Sequence, residues 1–369
     1  MKVLLDSNIY RQDLTLDGGK FRLLFSQASQ GRFEIALPEV VARETTELYR
    51  REIDERLNAL DKAGRRLRSL RIPIAERNPV DKETEAEEFR KYLESKVLSG
   101  GALLGLPDVS HDHLVDQAIH KRRPFSGKDA GYRDALIWQS AMALAANDET
   151  VVLVTDNRKD FAAADGETLH PDLVAELEAA GAKCDSVLLY RDLDDFLEAW
   201  VPKEEAALQP VKELLADPEE LAMLEDKLAT VLAQLELPNE GHAFLTGLDI
   251  YSEGAWVETL DKIESIEVES AYSLGEQDAS VELEATVLAT IVFLANKGDL
   301  YSAERMHDLG EENDPPFYIY DYDYNDSLAA AEAPVKLSLA VQATFRAGSG
   351  ELDDIEITDI DPTPVGQIV

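Results

Sequence analysis

Apolar side chains along this chain follow two different periods, and the change falls near residue 202. Before that point, short aliphatic runs alternate with stretches of helical spacing. Residues 2–5 (KVLL), 33–37, 151–155 (VVLVT) and 187–190 are continuous apolar runs of strand length, the pattern of strands covered on both faces. Between and around them, helices are predicted over 21–30, 83–98, 114–119, 134–146, 173–180 and 193–200. A longer helix is predicted to begin at Pro38, where Val40, Val41, Leu48, Tyr49, Ile53, Leu57 and Leu60 form one apolar stripe. Proline suits a first helical turn, and Gly64 and Pro73 weaken or end this run.

Strands alternating with helices imply an α/β fold with a parallel sheet over residues 1–202. After that, residues 203–237 read as a strongly charged helical connector. Residues 238–369 change to apolar–polar alternation at 263–274, 281–294 and 335–345, the signature of half-buried antiparallel strands. Residues 311–326 (EENDPPFYIYDYDYND) read as a turn-rich acidic loop with a short strand. The second region is thus expected to be a smaller, acidic, β-rich α+β domain. A chain of 369 residues has room for roughly two or three such domains.

Composition changes this picture in two places. The single cysteine, Cys184, excludes an intramolecular disulfide framework and a thiolate metal cluster. No apolar run approaches the roughly 18 residues that span a bilayer, so a cytoplasmic location without membrane association is expected. The net charge of −38 argues against a nucleic-acid binder until it is divided along the chain. Residues 1–160 carry 26 basic and 27 acidic side chains, against 10 and 47 in the remainder. Residues 1–160 are therefore close to neutral. The acidic second region would repel free nucleic acid; it is expected to engage a protein partner, to self-associate, or to cover a basic track on the first.

Four acids fall at informative places. Asp6 ends the first strand and Asp156 follows the VVLVT strand, and ligands of open α/β sheets bind at the carboxyl ends of strands. Asp134 begins a helix, and Glu44 lies near the start of the long one, with Glu39 as its rival. Brought together, such carboxylates repel unless a hard divalent ion such as Mg²⁺ or Mn²⁺ joins them. Ions held this way activate water and stabilise a leaving oxygen, chemistry suited to phosphodiester hydrolysis. No Ser–His pair or cysteine nucleophile is evident.

Four stretches carry a family resemblance. VLLDSN (3–8), LPEVVARE (37–44), KDAGYRDALIW (128–138) and VLVTDNRKDF (152–161) resemble, in order, the motifs of PIN-domain nucleases, in a larger bacterial subfamily with a C-terminal extension. The resemblance covers roughly residues 1–200, with residues 50–127 longer than a minimal domain of this kind. It implies a three-layer α/β/α fold and a Mg²⁺- or Mn²⁺-dependent nuclease, usually an endoribonuclease acting as a toxin, an RNA-processing enzyme or a defence effector. On this reading Asp6, Glu44, Asp134 and Asp156 are catalytic and hold the metal, with Asp160 a further ligand. Asn8, Thr155 and Asn157 would orient the carboxylates. Arg122, Arg123, Lys128, Arg133, Arg158 and Lys159 would form the phosphate track, although Arg133 could instead pair with an acid of the cluster. The alternatives are a structure-specific DNA nuclease and a non-catalytic RNA- or protein-binding module.

Overall fold

A strand with no polar side chain is stable only where both of its faces are covered. In the computed structural model Val151–Val154 meets that condition: all four residues are fully buried in an interior strand of a five-stranded sheet. The structure describes residues 1–69, 79–125, 131–147, 149–237, 252–275, 278–308, 317–321, 324 and 327–364. They form two units, Met1–Pro202 and Lys203–Val369.

The first unit runs β1 (Lys2–Leu5), α1 (Ser7–Tyr10), α2 (Gly19–Ser29), β2 (Glu34–Pro38), α3 (Glu39–Ser69), α4 (Lys82–Leu98), β3 (Gly101–Leu104), α5 (His111–Ile119), α6 (Tyr132–Ala145), β4 (Val151–Val154), α7 (Arg158–Phe161), α8 (Pro171–Ala179), β5 (Val187–Tyr190) and α9 (Leu193–Trp200). Every strand pair is parallel, in the order β3-β2-β1-β4-β5. The chain thus builds outward from β1 on one side and then returns to build on the other. The order reverses between β1 and β4, and a ligand crevice opens at such a switch point.

β3 was not expected. Its apolar run GALL is short and partly exposed, and the preceding pair of glycines reads as loop. That pair is what the packing demands. A Cβ at Gly101 would lie 2.0 Å from the Ile35 carbonyl oxygen, and one at Gly100 would lie 2.4 Å from the Ala28 carbonyl carbon. Only glycine lets the strand come this close to β2 and the end of α2.

α3 is held at its start by Pro38, which closes β2, and along one side by α4. The Tyr49 and Phe89 rings stack at 4.1 Å and 6°. Arg90 of α4 binds Glu39 at 2.6 Å. Asp81 caps α4 by accepting the Glu83 N–H at 3.2 Å. Glu39, the rival of Glu44, is thereby occupied in helix packing.

The second unit contains α10 (Glu205–Leu215), α11 (Pro218–Leu232), β6 (Ser252–Gly275), β7 (Asp278–Asn296), α12 (Lys297–Asp308), β8 (Tyr318–Asp321), β9 (Leu328–Arg346) and β10 (Glu351–Pro364). Its sheet is antiparallel, in the order β10-β9-β7-β6, with β8 also paired to β9. Residues 203–237, expected as a connector, belong to this unit. Val211 of α10 and Leu224, Leu228 and Leu232 of α11 are buried in the same core as Val281, Leu283, Val287, Leu337 and Leu339 of the sheet. Two of the charges that made the segment read as a linker bind the sheet: Glu225 accepts the Ile263 N–H at 2.8 Å, and Lys227 reaches Asp353 at 3.0 Å. No helix among the described residues is long and apolar enough to cross a membrane.

Candidate active site

The first acid is fixed by where its strand stops. β1 ends at Leu5, and Asp6 caps the short helix that follows. It lies at the switch point, beside Thr155, the residue after β4. Asp6 is only 4% exposed. Its Oδ1 accepts the Ser7 N–H at 2.6 Å, and its Oδ2 accepts the Thr155 hydroxyl at 2.7 Å and the Asn8 amide at 2.8 Å. All these donors are neutral. Burial raises the Asp6 pKa, while the Thr155 and Ser7 hydrogen bonds and the positive charge of Arg133 pull it down.

Asp134 stands in the first turn of α6. Its Oδ1 accepts the Asn157 amide at 3.2 Å. Its pKa is raised to about 6, first by burial and then by the negative charges of Asp6 and Asp160; Asn157 and Arg133 oppose the shift. Asp6, Asp134 and Asp160 are thus electrostatic neighbours. Asp160 lies in α7, with the Arg123 guanidinium 3.6 Å from its carboxylate. Glu44 on α3 is paired with Arg133, so this arginine joins Glu44 to the pocket of Asp6 and Asp134.

Asp156 is placed differently. It is exposed, and its backbone is what ties it down: the N–H donates to Asn8 Oδ1 at 3.4 Å, and the carbonyl accepts the Arg158 N–H at 2.8 Å. The negative charges that raise Asp134 come from Asp6 and Asp160. Asp160 is half-buried beside Arg123, and Asp156 stands exposed beside Asn8.

The neutral side chains form one network around these acids. Thr155 is fully buried; its Oγ1 donates to Asp6 and accepts the Asn157 N–H at 3.0 Å. Asn8 bridges Asp6 and the backbone of Asp156. Ser7, which sequence reasoning passed over, gives Asp6 both its N–H and, at 3.3 Å, its hydroxyl. Its position directly after a strand-end aspartate was the available signal.

The expected basic track is dispersed. Arg123 reaches Asp160, and Arg122 lies 3.7 Å from Asp116. Arg158 turns the other way: its guanidinium packs over Gly166, and its charge acts on Asp195. Lys159 is exposed. Lys128 lies outside the described residues. His113 Nε2 lies 3.0 Å from Glu176, which also accepts Gln117, Trp138 and Gln139 side chains.

Among the described residues, no group of three or more His, Cys, Asp or Glu side chains is assembled closely enough to hold a metal ion. The donor chemistry nonetheless fits a hard divalent cation. Asp6 and Asp134 supply carboxylate oxygens, both are disfavoured as anions by burial, and the charge of Asp6 disfavours that of Asp134. A cation held by these carboxylates would offset that penalty.

Residues 3–161 match the family model of the PIN domain. No curated protein and no solved structure matches the chain.

Proposed function

The N-terminal unit carries a PIN domain, a nuclease-type fold that is typically metal-dependent, and from it we propose a Mg²⁺- or Mn²⁺-dependent endoribonuclease. Asp6, Glu44, Asp134 and Asp156 would hold the metal, with Asp160 as a further ligand. The observation that carries this reading is the placement of Asp6 and Asp134 together at the sheet's switch point, held by neutral donors. A buried carboxylate is costly, and neutral hydrogen bonds do not cancel its charge. A site built this way is suited to a cation.

The bound ion supplies an acidified water and charge stabilisation at the scissile phosphate. The chain's own residues do the positioning. Thr155, Ser7 and Asn8 occupy both oxygens of Asp6 and hold its plane. Asn157 donates to one oxygen of Asp134. Such partners orient ligands and keep their lone pairs aimed at one point. Arg133 and Arg123 place positive charge next to the acids, where a phosphodiester would otherwise be repelled.

The test is cleavage of labelled single-stranded RNA and DNA by the intact chain with Mn²⁺, with EDTA, and after Asp6→Asn. Metal-dependent RNA cleavage that disappears in the variant is the expected result. DNA cut in preference to RNA would replace the ribonuclease reading with a DNA nuclease. No metal-dependent cleavage of either would favour a binding module.

A further inference from the structure

Beside the acid pocket lies an open groove lined by Arg43, Glu44, Arg51, Leu106, Tyr132 and Arg133. It runs between α3, the first turn of α6 and the segment after β3. Two large apolar side chains stand unusually bare in it: Tyr132 and Leu106 are each 51% exposed. Three arginines surround them. Arg43, Arg51 and Arg133 pair with Glu39, Glu47 and Glu44, yet their side chains remain 65%, 64% and 66% exposed. Exposed pairs of this kind hold weakly, and a phosphate offers each guanidinium a better, bidentate partner. Arg133 lines the groove in the first turn of α6, next to Asp134, and pairs with Glu44, so the groove borders the acid site.

α3 extends this surface. At about 100° per residue, Glu44, Arg51, Lys62 and Arg65 fall on one stripe of the helix. α4 packs on the far side through the Tyr49–Phe89 stack and the approach of Arg50 to Glu83, while the Asp54–Lys82 pair lies along the stripe's edge. The stripe is therefore left open, and Lys62 and Arg65 are exposed. From Glu44 to Arg65 it runs about 32 Å.

We propose that the groove and this stripe of α3 form the binding track for a single-stranded nucleic acid. One base stacks on Tyr132, its flanking phosphates meet Arg43, Arg51 and Arg133, and the strand continues toward Lys62 and Arg65. The proposal deepens the nuclease reading and rests on it for the identity of the ligand. An exposed ring beside arginines fits an unpaired base, because a duplex hides its base faces inside the stack. The phosphate beyond the stacked base is then delivered past Arg133 toward the acids.

The test is fluorescence anisotropy with the full chain carrying Asp134→Asn, so that the ligand is bound and not cut. The probes are oligouridylates of about four and about twelve nucleotides, an oligothymidylate, and the longer RNA in duplex with oligoadenylate. Single strands are expected to bind at least about tenfold more tightly than the duplex. Tyr132→Ala weakens single-strand binding about tenfold, and Tyr132→Phe keeps it, because stacking needs the ring and not the hydroxyl. Lys62→Glu with Arg65→Glu weakens the longer oligonucleotide alone and flattens its salt dependence. Oligothymidylate binding as tightly as oligouridylate also supports the track, since stacking and phosphate contacts do not read the 2′-hydroxyl. Equal binding of duplex and single strand, equal losses in Tyr132→Ala and Tyr132→Phe, or no binding to any probe would overturn it. The readout is binding alone, so this outcome and the cleavage result can fail independently.

Discussion

The two units handle carboxylates in opposite ways. In the second, acidic residues lie on the outward side of an antiparallel sheet: along β7, buried Val281, Leu283 and Ala285 alternate with Glu282 and exposed Glu284. Its buried polar residues, Ser270, Ser280, Gln342 and Thr344, are all neutral. In the first, among the described residues, Asp6 is the one charged side chain of the molecule that is buried. A solvated carboxylate costs little, so the 37 acidic residues from position 203 onward shape solubility and association. A buried one must be compensated, so a single Asp6 says more about chemistry than all of them. Net charge was therefore a poor guide to function here, and the placement of charge a good one.

The contrast is broken most severely if the wrong acid has been assigned to the metal. Asp156→Asn is expected to reduce metal-dependent cleavage by more than the roughly ten- to hundredfold typical of an outer partner. Asp160→Asn should stay within that range, and Glu284→Gln on the second unit should leave the rate unchanged. Initial rates for the three variants decide this. A severe loss in Asp160→Asn with a mild one in Asp156→Asn would reverse the assignment.

A smaller effect sharpens the role of the neutral network. Thr155→Val keeps the shape of a fully buried side chain and removes the hydroxyl that binds Asp6. Activity should fall about ten- to hundredfold, with a higher Mn²⁺ requirement, and Thr155→Ser should restore most of it. A loss that saturating Mn²⁺ and the serine variant both fail to repair would assign Thr155 to packing alone.

How much of this was legible in the sequence depended on whether local pattern and final packing agreed. VVLVT announced an interior strand because nothing in it could face water, and β4 is fully buried. β3 was missed because the feature that admits it, Gly100-Gly101, matters only once β2 and α2 lie alongside. β6 runs Ser252–Gly275, well beyond the alternating stretch, because six register irregularities against β7 repeatedly shift which residues face inward. β10 was hidden by its acids and by bulges against β9. At the site, Asp6, Thr155 and Asn8 followed from strand ends. The different burial of Asp156 and Asp160 did not, because it depends on the path of α7, which half-buries Asp160 and leaves Asp156 exposed. The pairing of Glu44 with Arg133 spans 89 positions, so composition alone left it open among several basic residues.

The smallest effect tests whether the buried acids cost stability, as the contrast between the units requires. Asp134 has a folded-state pKa of about 6 against an ordinary 3.8. Between those values the folded chain holds a proton that the unfolded chain has released. Stability therefore falls as pH rises through this window, and the full penalty persists above it. Asp134→Asn removes the ionisable group. In metal-free buffer at neutral pH the variant should melt higher than the parent, by on the order of 1–2 kcal/mol after allowance for partial solvent access. That corresponds to roughly 2–6 °C for a unit of this size. The gap should close below about pH 4, where the parent is protonated in both states. Mg²⁺ or Mn²⁺ should raise the parent's melting temperature and leave the variant's nearly unchanged, since a cation relieves a repulsion the variant lacks. Glu284→Gln, which alters an exposed acid of the second unit, should show neither the pH-dependent gap nor any change in the response to metal. A variant less stable than the parent at neutral pH would mean that Asp134 is held as a favourable anion, and the case for a cation held by it and Asp6 would fail.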